Sequence, residues 1–139
     1  MEMKTLFLLP ILLLSLLSTS CWGVDSDDLV VRDGLYYKKF TDTPFTGKVS
    51  GNEQGKMKNG KKEGAWVTYH PNGQLELKGS YKNGEYEGDW VSYWDTGQIK
   101  DKSNWKNNKR EGERVNTNAD GTVFHPYTGT YKNGKKITN

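Results

Sequence analysis

Three carboxylates recur at a fixed interval: Glu63, Glu87 and Glu111, each 24 residues from the next. A row of acids at one spacing is a starting point for acid–base chemistry. Each of them, however, follows a Lys/Asn/Gly turn and precedes a glycine. That setting reads as a solvated row pairing with lysine, the ordinary fate of exposed charge. His70 and His125 each sit in or beside a turn, with a proline next to them. The sequence has no HExxH, CxxC, GxSxG or phosphate-loop pattern, and no cluster at metal-ligand spacing. It therefore predicts no catalytic residue, no metal site and no cofactor; the chain reads as a non-enzyme.

The cations are more organised. Lys58, Lys61 and Lys62; Lys106, Lys109 and Arg110; and Lys132, Lys135 and Lys136 all flank turns of one kind. If equivalent turns stack, these residues form a basic ridge, interrupted at Glu85, Tyr86 and Glu87. Such a ridge suits anionic lipid head groups or another polyanion. The plainer reading, and the one the sequence favours, is that lysines keep the turns soluble and block edge pairing. Nucleic acid fits poorly, because the net charge is only +3 and the chain reads as exported. Trp66, Trp90 and Trp94, with Tyr69 and Tyr93, read as core, because the chain has little else to bury. Trp94 occupies the place that His70 holds one repeat earlier, so it is expected to face solvent and to be available to a partner.

The elements that position these residues come in copies. Gly64, Trp66, Val67, Tyr69, Gly73, Gln74, Lys78, Lys82, Asn83 and Glu87 recur at Gly88, Trp90, Val91, Tyr93, Gly97, Gln98, Lys102, Lys106, Asn107 and Glu111. A period of this size marks an array of small supersecondary units. Each unit has two turns, at Asn72-Gly73 and Asn83-Gly84 in the first full copy. Glycine and asparagine accept the positive φ that tight hairpins need. Between the turns, Leu75, Leu77 and Tyr81 alternate with Gln74, Glu76, Lys78 and Ser80, the period of a half-buried strand. The expected fold is all-β: an elongated, single-layer antiparallel meander of repeated hairpins. Trp66 and Tyr69 differ by an odd number of positions. Either both faces are partly covered or a bulge intervenes.

Residues 1–23 read as a signal peptide, with an apolar core at Leu6–Leu17 that is too short to span a bilayer. The mature protein is then expected to be periplasmic or secreted. Ser18-Thr19-Ser20-Cys21 is an imperfect lipobox, so lipid anchoring through Cys21 is the less favoured alternative. Cys21 is the sole cysteine, which leaves no disulfide frame. Residues 24–44 read as a capping hairpin about Asp33-Gly34, preceded by a mobile acidic lead-in, Val24–Asp28. The array occupies residues 45–139, with units at 45–63, 64–87, 88–111 and 112–136. The first unit is shortened, and in the last Arg114 replaces the tryptophan.

The pattern G-x-W-V-x-Y, then N-G-Q-L, then K-G-x-Y-K-N-G, resembles a MORN repeat, in the bacterial variant of the YwqK family. The resemblance runs from Phe45 to Lys136. It implies a sheet of hairpins without catalytic activity, used for contacts with proteins and in some cases with anionic lipids. An unidentified protein partner is therefore the first expectation and an anionic membrane surface the second. YwqK-like chains often carry the label antitoxin. With a signal peptide, that role would become an envelope inhibitor or immunity-like partner.

Overall fold

The computed structural model describes residues 23–138. Leu6–Leu17 and Cys21, which carry the export and lipid-anchor readings, lie outside the described residues. In chain order the strands are β1 (Val24–Asp25), β2 (Leu29–Arg32), β3 (Leu35–Lys38), β4 (Gly47–Ser50), β5 (Glu53–Lys58), β6 (Lys61–Tyr69), β7 (Leu75–Lys82), β8 (Glu85–Tyr93), β9 (Ile99–Lys106), β10 (Lys109–Asn116), β11 (Gly129–Lys132) and β12 (Lys135–Thr138). Among the described residues, ten strands form one sheet in the order β1-β4-β5-β6-β7-β8-β9-β10-β11-β12, and β2 and β3 form a separate hairpin. From β4 onward every neighbouring pair is antiparallel, as the repeats predict. At the usual strand spacing of about 4.8 Å, ten strands make a sheet roughly 43 Å across.

The hairpin turns explain the regularity. Asn59, Asn83, Asn107 and Asn133 have φ of 50°, 51°, 48° and 49°, and each is followed by a second residue with positive φ. Two such residues in sequence make the two-residue turn whose twist matches that of paired strands. Each turn is also tied to an earlier stretch of chain, within the first unit at Gly60 and to the preceding unit in the other three. The N–H groups of Gly60, Gly84, Asn108 and Gly134 donate to the carbonyls of Phe45, Lys62, Tyr86 and Arg110 at 2.8, 2.9, 3.1 and 2.9 Å.

The recurring carboxylates complete this clasp. Glu63, Glu87 and Glu111 accept the backbone N–H of Asn83, Asn107 and Asn133 at 2.7, 3.0 and 2.9 Å. Thr46 does the same for Asn59 at 2.8 Å. Among the described residues, each carboxylate of the row thus engages a turn N–H and not the lysine expected of it. It satisfies the N–H that each tight turn leaves without a strand partner. We expect Glu87→Ala to cost about 1 kcal/mol in urea denaturation, and Glu87→Gln less, because the amide oxygen still accepts. A loss that disappears in high salt would instead mark an ion pair with lysine.

A second device recurs in the strands. Three residues, Gly64 to Trp66, lie opposite Gly55 alone, between the pairs Gln54↔Val67 and Lys56↔Glu63. The same interruption falls between Lys78 and Ser80 against β8, and between Ser103 and Trp105 against β10. Gly64, Gly88 and Gly112 take φ of 71°, 72° and 79° at these bulges. The bulge lays the following tryptophan flat across the neighbouring strand. Trp66 Nε1 donates to the Lys56 carbonyl at 3.1 Å, and Trp90 Nε1 to that of Ser80 at 3.2 Å. Both tryptophans are 3% exposed.

Both faces of the sheet are partly covered. Trp66 belongs to one face with Val49, Met57 and Tyr81. Tyr93 belongs to the other, where Lys78 Nζ stands 5.7 Å from its ring centre. That outer face carries the cross-strand row Val67, Lys78, Val91, Lys102 and Val115.

The ends depart from a single antiparallel layer. Val24 and Asp25 pair in parallel with Val49 and Ser50, closing the outer edge of β4. The expected mobile lead-in is therefore a strand followed by a 3₁₀ turn, Ser26–Asp28, capped by the Asp25 carboxylate. The β2–β3 hairpin folds over the tryptophan face, where Leu29 and Tyr36 pack with Phe45 against Val49, Met57 and Trp66. At the other end, the 117–128 connection returns over β10. Phe124 N–H donates to the Asn116 carbonyl at 2.7 Å, and the Tyr131 hydroxyl donates to the Tyr127 carbonyl at 2.9 Å.

Candidate functional site

Between these two covers, the tryptophan face stays open over β7, β8 and β9, as far as the Arg110 and Arg114 side chains of β10. Its floor is a run of rings. Trp66 meets Tyr81 edge-on at 6.1 Å, and Tyr81 meets Trp90 edge-on at 4.9 Å. Tyr86 contacts Trp90 at 4.4 Å and lies within 31° of the Trp105 plane at 5.0 Å. Such pairs add to stability beyond the area they bury. Burial, with Tyr86 beside it, pushes the Tyr81 phenol above its ordinary range.

A trough of about 390 Å³ opens above this floor, with Leu77 and Ser92 on one side and Arg110, Arg114 and Asn116 on the other. Its polar groups are unevenly paired. Arg114 Nε donates to Asp101 Oδ2 at 2.6 Å, with the two side chains 13% and 16% exposed. Asn116 Nδ2 donates to the same oxygen at 3.0 Å. Arg110 lies over Trp105, 4.5 Å from the ring centre, and its buried Nε has no partner. Burial lowers the Arg110 pKa, and the nearby Arg114 lowers it further, against the opposing pull of Asp101 and Tyr131. The trough therefore carries more positive charge than its one carboxylate offsets.

These units have a relative. Residues 62–83 and 86–107 match the family model described as MORN repeat variant. No curated protein and no solved structure matches the chain. MORN repeats are in general modules for contacts with proteins or membranes, and they are typically non-catalytic.

Seen on the repeat units, the basic ridge divides. Lys58↔Lys61, Lys106↔Lys109 and Lys132↔Lys135 pair across their hairpins at the sheet edge. Lys62, Arg110 and Lys136 stand one residue further on and leave the ridge. Lys62 Nζ donates to Glu53 at 2.5 Å and lies 4.4 Å from the Trp66 ring centre. Lys136 Nζ donates to the carbonyls of His125 and Pro126 at 3.2 and 3.3 Å. Lys82, paired with Glu85, belongs to the edge row and was not among the expected residues. Its signal was the Lys before each turn asparagine, at positions 58, 82, 106 and 132.

Trp94 is half-buried rather than facing solvent. Its Nε1 donates to the Thr117 carbonyl at 3.3 Å, and Lys100 Nζ lies 4.5 Å from its ring centre. His70 makes the matching link one unit earlier, Nε2 to the Tyr93 carbonyl at 3.0 Å. Trp94 is thus a tie between units. The residues that line the open trough, Tyr86, Trp105, Arg114 and Asp101 among them, were missed. The 24-residue offset had placed Tyr86 in one row with Lys62 and Arg110, and Trp105 in one row with Tyr81.

Proposed function

We propose that this chain is a non-enzymatic, exported scaffold of the bacterial YwqK-like kind, and that the open part of its tryptophan face receives a protein partner. One observation carries the reading. The chain covers both ends of that face with its own segments and leaves the middle, from Leu77 to Arg110, uncovered. A half-open surface that mixes rings, an aliphatic side chain and arginine has the composition of an interface centre. The test is affinity capture from an envelope extract with the intact protein and with Leu77→Glu. A stoichiometric partner held by the former and lost by the latter is expected. No partner, or one held equally by both, removes the reading.

A second reading follows from the lysines. Lys58, Lys82, Lys106 and Lys132 precede the turn asparagine in consecutive hairpins. Strand spacing sets such positions about 10 Å apart. That periodicity suits a sheet of anionic head groups. Co-sedimentation with phosphatidylserine vesicles at low salt, lost at high salt and in a Lys82→Glu, Lys106→Glu double variant, is what this reading requires. Absence of low-salt binding ends it.

A further inference from the structure

We infer that the trough is a carboxylate receptor: an acidic side chain of the partner peptide docks on Arg110, with a neighbouring aliphatic side chain against Leu77. The inference rests on the protein-partner reading and names the chemistry that the partner must present. It starts from a count of charges. Lys100, Arg110 and Arg114 line the trough against Asp101 alone. Asp101 is already engaged by Arg114 and Asn116. Lys100 is turned over the Trp94 ring. Arg110 stands over Trp105, with Cζ 4.5 Å from the ring centre, and its buried Nε has no acceptor. A guanidinium held over an indole has less freedom to lose on binding. Its Nη groups, beyond the covered Nε, match the two oxygens of a carboxylate.

The floor decides what accompanies the charge. A nucleobase or a sugar ring needs a free aromatic face. Trp105 has Tyr86 at 5.0 Å and Arg110 at 4.5 Å from its ring centre. Trp90 is 3% exposed. What remains apolar is Leu77 and the rim of Tyr86, which suit an aliphatic side chain. A single unmatched guanidinium in a cleft of about 390 Å³ takes one acidic group, not a polyanion.

The probe is an acetylated, amidated pentapeptide, Gly-Leu-Glu-Leu-Gly, with its Glu-to-Gln counterpart as control. Nuclear magnetic resonance follows the Arg110 Nε–H and the Trp105 indole N–H of the intact protein. The Glu peptide should shift both signals, with at least tenfold weaker binding for the Gln peptide and for the Arg110→Gln protein. Lys106→Gln should leave the affinity within twofold. No shift at millimolar peptide, equal binding of both peptides, or shifts confined to the edge lysines would overturn the inference. So would inorganic phosphate shifting Arg110 more strongly than the peptide. The Gln peptide keeps the test decisive if Arg110→Gln fails to fold. A partner captured through Leu77 while the Glu peptide leaves Arg110 unmoved would keep the scaffold and remove the receptor.

Discussion

Gly79→Ala should destabilise the protein by about 3 kcal/mol, the upper end of what overpacking costs. Gly79 has ordinary strand geometry, since its φ is not positive, so the cost does not come from the backbone conformation. It comes from the neighbour. A Cβ at Gly79 would overlap the indole of Trp90, which lies flat over that strand. The ring is pinned by its hydrogen bond to Ser80 and by contacts with Tyr81 and Tyr86, so it cannot swing aside cheaply. Gly73→Ala is the control. Its φ is 84°, with open space where the methyl would go, so only backbone strain is added, about 1 kcal/mol. Trp90→Ala alone should cost about 3–5 kcal/mol. The Gly79→Ala, Trp90→Ala pair should cost clearly less than the sum, because the second change removes the clash made by the first. Urea denaturation of the four proteins measures this. A loss below about 1 kcal/mol for Gly79→Ala would mean that the indole does not lie on the strand.

The part of this fold that the sequence declares is the part built from backbone geometry. Asn83-Gly84 and its copies name the turns, because few residue pairs tolerate two positive φ values in succession. The 24-residue offset carries Trp66 to Trp90, and with it the strand that each covers. The clasp by Glu63, Glu87 and Glu111 is hidden, because its partner is a main-chain N–H twenty or more residues away, which any residue could supply. Arg110 and Lys109 are adjacent in sequence and look like one basic feature. Strand alternation sends them to opposite faces, and the Trp105 ring lies under Arg110 only. Trp94 misled for a related reason: a histidine in the equivalent place suggests solvent, but both side chains reach a carbonyl of the next unit. The parallel pairing of Val24–Asp25 with β4 has no repeat to announce it.

Removing the one carboxylate of the trough tests its electrostatics from the opposite side. Asp101→Leu leaves Arg114 without its 2.6 Å partner and leaves Arg110 facing an uncompensated like charge. Both members of the Asp101–Arg114 pair are at least four-fifths covered, so water screens the loss poorly. Breaking such a pair from one side costs about 3 kcal/mol. Replacing both members, Asp101→Leu with Arg114→Leu, should recover most of that, because two desolvated charges are exchanged for apolar contact. The comparison separates the pair's net worth, which is small, from the penalty of an orphaned guanidinium, which is large. Thermal or urea unfolding of the single and double variants gives the answer, and equal losses in the two would show that Asp101 acts through packing alone. The same substitution bears on binding. If the trough receives an acidic side chain, Asp101→Leu supplies a second unmatched arginine, so the Glu peptide should bind more tightly while the protein itself is less stable. A packing role for Asp101 gives no reason for those two quantities to move in opposite directions.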